Sequence, residues 1–177
     1  MKRALLVLPL AGVVAFAAAG RARVKHLALT AMERLCDQRL VRLVEDPLLL
    51  IGHASGVYLE GYGAVFTAEV NLVLGPTINP FRQSVTPAEI ARVRQRKLER
   101  LPALRQSMRD VLLECAASLD DVPAEEKIAF NVTLRSLSYE DNSGLPSRVL
   151  VQGQKSRLIE AKLGRVSAES VIQVQEF

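Results

Sequence analysis

The chain predicts an α+β domain: a mostly antiparallel sheet with a long kinked helix and shorter helices packed on one face. Two clean period-two runs, a strongly capped helix between them and turn residues after each run carry that expectation. In the first run Ala64, Phe66, Ala68, Val70, Leu72 and Leu74 point one way, while Val65, Thr67, Glu69 and Asn71 point the other. In the second, Ile128, Phe130, Val132 and Leu134 alternate with Ala129, Asn131, Thr133 and Arg135. Each run pairs an apolar row with a more polar one, the pattern of a sheet covered on one side.

The first element is a leader. Met1-Lys2-Arg3 is a positive head, and the uncharged run ALLVLPLAGVVAFAAAG follows from Ala4 to Gly20. Small residues close the run, so residues 1–19 read as a secretory signal peptide. An uncleaved anchor is the alternative: the run is at the short limit for a membrane span. Arg21, Arg23 and Lys25 directly behind it resist translocation. The expected address is therefore periplasmic or secreted, or else membrane-anchored and facing outward.

Residues 20–46 read as a juxtamembrane segment and an amphipathic helix. Met32, Leu35, Cys36, Leu40, Leu43 and Val44 recur at three- and four-residue steps, and Asp46-Pro47 ends the pattern. A single α+β domain is expected over 47–177. Leu48 to Ile51 is a short apolar run. The glycines of GVYLEGYG, residues 56–63, have neither Walker nor dinucleotide-binding spacing, and a strand rather than a helix follows them. They predict a hairpin bend at Glu60-Gly61.

Thr86-Pro87-Ala88-Glu89 is a helix start with a capping residue, a proline at the first position and a carboxylate three residues after the cap. A buried stripe runs from Ile90 to Leu119, and Pro102 within it predicts a kink or break near Leu101. Asp120-Asp121-Val122-Pro123 ends the helix. The second period-two run, the turn SYEDNSGLPS, a strand over 148–152, a short helix over 155–163 and a final strand in VIQVQEF complete the order.

Composition names no partner. Net charge is +4; taking Lys2 and Arg3 from the 23 basic residues leaves 21 against 19 acidic. With aromatics at 5% and tryptophan absent, the base-stacking surface of a nucleic-acid binder is missing, and none is expected. The one basic feature is ARVRQRKLER. There Arg92, Arg96 and Arg100, four apart, stack on one helix face as a candidate ridge for a protein partner or an anionic envelope surface. Glu69 and Asn71, with Thr67, form a second candidate contact row. Membrane contact is expected only through an uncleaved leader.

Reactive residues are sparse. No set of Cys, His or carboxylates has the spacing of a metal site, and no cofactor is expected; Asp120, Asp121, Glu125 and Glu126 read as a charged loop with a weak claim on a hard cation. His53 is the one histidine far from the leader. With Ser55, Tyr58 and Tyr62 it forms the weak candidate set for a catalytic site, although Ser55 has no nucleophile-elbow context. Cys36 and Cys115 lie on apolar helix faces and form a possible disulfide. Two functions follow: an exported, non-catalytic domain acting through protein or envelope-surface contacts, or a secreted hydrolase of unfamiliar type with its site near His53, Tyr58 and Tyr62.

Overall fold

A computed structural model describes residues 24–42, 49–78, 80 and 84–177. The expected signal or anchor segment, residues 1–19, lies outside the described residues. The elements are α1 (His26–Val41), β1 (Leu49–Leu50), β2 (Ser55–Leu59), β3 (Gly63–Asn71), α2 (Pro87–Ser118), β4 (Lys127–Leu134), β5 (Arg148–Gln154), α3 (Lys155–Lys162), α4 (Ala168–Val171) and β6 (Gln173–Glu176). Among the described residues no helix is long and apolar enough to cross a membrane.

The six strands make one sheet. β1 and β2 both pair with β3, end to end on the same flank, and the order continues β3, β4, β5, β6. Every pairing is antiparallel except β3 with β4, which is parallel. The antiparallel, helix-bearing architecture is the expected one. The parallel pair is not what successive hairpins would make. It arises because α2 separates the two strands, and a helix that returns along a sheet delivers the next strand in the same direction.

The apolar rows face the helices. Ala64, Phe66, Ala68 and Val70 of β3, Ile128, Phe130 and Val132 of β4, and Val149 and Val151 of β5 are all buried. Leu101, Leu104, Met108, Val111, Leu112, Cys115 and Ala116 of α2 meet them in one core. The helix α1 adds Leu29, Cys36 and Leu40 to that core.

The start of α2 is built as its sequence predicts. Thr86 accepts from the Glu89 amide, and the Glu89 carboxylate accepts from the Thr86 amide at 3.0 Å. The expected break at Pro102 does not occur: α2 is helical from Pro87 through Ser118. Pro102 removes one backbone donor, yet it faces solvent between the buried Leu101 and Leu104. Core packing on both sides holds the helix through the defect.

The Gly-rich stretch is a hairpin bend. Tyr62 N–H donates to the Leu59 carbonyl at 3.0 Å, with Gly61 at φ +80°. Gly63 opens β3 at φ +129°, and a Cβ there would run into the Lys127 backbone of β4. Glycine at 63 therefore permits the bend to lie against the neighbouring strand. Gly63→Ala is expected to cost more than about 3 kcal/mol. Gly61→Ala, at a positive φ but with open space around it, should cost about 1 kcal/mol. Urea unfolding midpoints check both.

Candidate functional site

Three neighbourhoods contain the residues with chemical potential, and the structure separates them. The first is the edge of β2, where α1 runs alongside. Asp37 Oδ1 accepts from the Ala54 amide and Glu33 Oε1 from the Gly56 amide, both at 2.7 Å. Carboxylates four apart on a helix are about 6 Å apart. Alternate amides on one strand edge are about 6.7 Å apart, so the two spacings match. Asp37 Oδ2 also sits 3.0 Å from His53 Nδ1. A surface groove of about 390 Å³ lies there, lined by Thr30, Glu33, Arg34, Asp37, Gln38, His53 and Ala54.

A carboxylate fixing a histidine nitrogen is one part of an acid–base site. The remaining parts are not assembled. The His53 side chain is 90% exposed against 19% for Asp37, so water surrounds the imidazole. No hydrogen bond joins His53 to Ser55. Ser55 is in register with Thr67, on the opposite, helix-free face.

Tyr58 and Tyr62 belong to the hairpin. Tyr58 OH and the Gly61 amide both donate to Glu126 Oε1 at 3.1 Å, tying the bend to the start of β4. Partial desolvation, then the hydrogen bond to Glu126 and its charge, hold the Tyr58 phenol above its ordinary value. It is therefore protonated at neutral pH and serves as a donor. Tyr62 OH donates to Gln152 Oε1 at 3.0 Å, with the Lys127 ammonium 5.8 Å from its ring centre. Thus His53, Ser55, Tyr58 and Tyr62 occupy different surroundings.

The third neighbourhood lies at the carboxyl ends of β3 and β4, where the basic start of α2 meets two loops. Arg94 Nε donates to the Ser143 carbonyl at 2.7 Å and pairs with Asp141 at 3.6 Å. Lys97 pairs with Glu140, and their side chains are 4% and 1% exposed. Arg100 donates to the Leu72 carbonyl at 2.6 Å. Tyr139 OH donates to the Pro76 carbonyl. The residues that clamp the loops are spaced by three, 94, 97 and 100. The predicted ridge of Arg92, Arg96 and Arg100 is only partly a ridge, since Arg100 is turned inward and Arg96 also has an interaction partner. Arg92 is exposed.

Beside the clamp is a cavity of about 90 Å³ lined by Leu72, Lys97, Leu134, Arg135, Ser136, Asn142 and Leu145 among others. Its size suits a few waters. The buried Lys97–Glu140 pair is the feature that pattern reading misses. Lys97 falls at the apolar side of the α2 stripe, three residues from each of two arginines, and that is the one signal for it in the sequence.

Of the predicted polar row, Thr67 is exposed and Asn71 is buried, its Oδ1 accepting from the Val73 amide at 3.3 Å. Glu69 receives two bonds from Arg135, at 2.8 and 2.9 Å. No group of three or more His, Cys, Asp or Glu among the described residues has metal-binding geometry. Asp121 of the charged loop pairs with Lys25 at 3.6 Å.

Comparison with protein-family models, with curated proteins and with solved structures finds no match to this chain. Function has to be argued from its own geometry.

Two measurements test the polar groups. Lys97→Met leaves Glu140 buried without its cation and should cost about 3–5 kcal/mol, whereas Lys97→Met with Glu140→Leu should recover most of the loss; denaturant titration distinguishes them. The bidentate bond from Arg135, with its charge, lowers the Glu69 pKa. For a carboxylate with a depressed folded-state value, the stabilisation is present above the unfolded-state pKa and is lost as pH falls through the folded one. Carboxyl-carbon NMR should place the Glu69 midpoint below the ordinary glutamate value, and Arg135→Gln should return it there.

Proposed function

We propose that this chain is an exported, envelope-located domain that acts without catalysis, by docking a protein partner on the helix-free face of its sheet. One observation carries this reading: α2 and the core it forms cover a single face, while among the described residues the opposite face has no helix on it. The register lays out its rows. Val57, Val65, Ala129, Gln152 and Gln173 cross the sheet in one row, and Ser55, Thr67, Asn131, Leu150 and Gln175 in the next.

The composition of that face favours a protein. Val57 and Leu59 are exposed at the β2 side, and Ile51 and Tyr62 are exposed nearby in the chain. Gln152, Gln173 and Gln175 lie on the β5–β6 side, and Lys127, Arg148 and the Glu69–Arg135 pair stand toward the ends of the strands. An apolar patch with a polar and charged rim is the make-up of a protein–protein contact. Five strand positions at about 4.8 Å and strands of four to nine residues give a face roughly 20 Å across and about 15 to 30 Å along the strands. That is of the same order as the roughly 800 Å² each partner gives to a standard interface. An anionic surface is the weaker partner, because Arg100 and Arg94 are spent on the protein's own loops.

The hydrolase alternative rests on the Asp37–His53 bond. It lacks a nucleophile held against the imidazole, and Tyr58 and Tyr62 are engaged elsewhere.

Site-specific photocrosslinking in the native cell envelope tests the proposal. A photoreactive residue at Val57 or Gln175 should give one discrete protein adduct, and one at Gln95 on the exposed side of α2 should give none. Leu59→Lys should abolish the adduct without changing the melting temperature. Adducts from position 95 alone, or none from the sheet face, would overturn it.

A further inference from the structure

Cys36 and Cys115 are buried thiols on two different helices, and two ion pairs set them opposite one another. Lys25 of the segment before α1 pairs with Asp121 just beyond α2. Arg39 of α1 pairs with Glu114 of α2. As numbers rise along α1 they fall along α2, so the helices pack antiparallel. Between these two ion pairs both thiols lie buried in one core, and Cys36 together with burial pushes the Cys115 thiol well above its ordinary value.

We propose that Cys36 and Cys115 oxidise to an intramolecular disulfide that fixes α1 over the edge of the sheet. The oxidant is a small or protein disulfide. One cysteine thiolate attacks it and releases one reduced thiol. The second cysteine then displaces the other thiol from the mixed disulfide. Two cysteine S–H bonds are lost, one S–S bond joins the helices, and the oxidant leaves as two thiols.

The consequence reaches the sheet through the residues beside Cys36. Glu33 and Asp37 flank it on α1 and accept the outward-facing amides of Gly56 and Ala54. Without its crosslink α1 is held by a modest apolar face and by ion pairs whose side chains are partly exposed. Such pairs contribute little on their own. With the crosslink, the carboxylates cannot leave the β2 edge, and the two donors stay closed to a foreign strand. Reduction frees α1 to open locally and uncovers them.

Burial also sets the kinetics. Both thiols are shielded from solvent in the folded protein, so the bond forms during folding or through local opening, and once formed it resists exchange.

The test refolds the full chain in a mixture of oxidised and reduced glutathione, then alkylates and digests it under denaturing conditions. The expected product is a cross-linked peptide containing Cys36 and Cys115, two mass units below the sum of the reduced peptides. Relative to the same chain kept in dithiothreitol, the oxidised protein should melt about 5–15 °C higher. Its Ala54 and Gly56 amides should exchange at least tenfold more slowly. Cys36→Ala should show neither change on oxidation; the reduced wild type is the reference if that variant folds poorly. Two free cysteines, or separate glutathione adducts on each, would overturn the disulfide. A cross-linked protein with unchanged Ala54 and Gly56 exchange would overturn its role at the edge.

Discussion

The parallel pairing of β3 with β4 is the constraint from which the rest of the architecture follows. In register, Phe66 lies beside Phe130, with Ala64 beside Ile128 and Ala68 beside Val132. All six are buried on the helix side. Two parallel neighbours cannot be joined by a tight turn, so the chain must travel the length of the sheet between them. The 32-residue α2 does this and buries its apolar stripe over β4 and β5. Once α2 occupies that face, the β4–β5 pair and the β2–β3 hairpin extend the sheet to either side, and among the described residues no helix lies on the opposite face.

The crossover also explains why basic residues gather at the start of α2. The chain leaves β3 and β4 at the same end of the sheet, and loop residues 72–78 and 135–147 follow them. Their carbonyls and carboxylates converge on the first turns of α2, where Arg94, Lys97 and Arg100 receive them. Burying Lys97 with Glu140 gains little net stability, because desolvating two charges offsets much of their attraction. It does fix geometry: Glu140 Oε2 accepts the Leu137 amide at 3.0 Å as well as the Lys97 ammonium. A single carboxylate thus sets both the fold of its own loop and the distance of that loop from α2.

The elements were readable wherever one residue type answers one local demand. The alternating rows of β3 and β4, the Thr86–Glu89 capping box and the glycine bend at Gly61 are local features, and each was legible. Of the kink or break expected at Pro102, the break is absent because the penalty is local while the compensation is not: Leu101 and Leu104 on either side are buried in the core. The parallel pairing was hidden for the same reason, since β3 and β4 show the same alternation whichever way they run. Among candidate site residues, His53 could be found by its rarity, but its partner Asp37 could not. Nothing about Asp37 in its own helix sets it apart from a solvated carboxylate. Arg92, Arg96 and Arg100 were grouped by helical spacing alone; spacing says which side chains share a face, not what the loops opposite will offer them.

A helix-free sheet face and a partly covered edge impose different requirements. The face offers side chains, with neutral Thr, Asn and Gln across its middle and the charged Lys127, Glu69, Arg135 and Arg148 toward the strand ends. An edge offers backbone donors and acceptors, which any extended chain can meet. Glu33 and Asp37 answer the edge at Gly56 and Ala54 by presenting acceptors to the outward amides, a defence available only to a helix lying parallel to the strand. It does not extend to the exposed Val57 and Leu59 farther along β2. The surface therefore grades from a closed edge near α1 to an apolar, open one at the hairpin, and the proposed docking would begin at that end of β2.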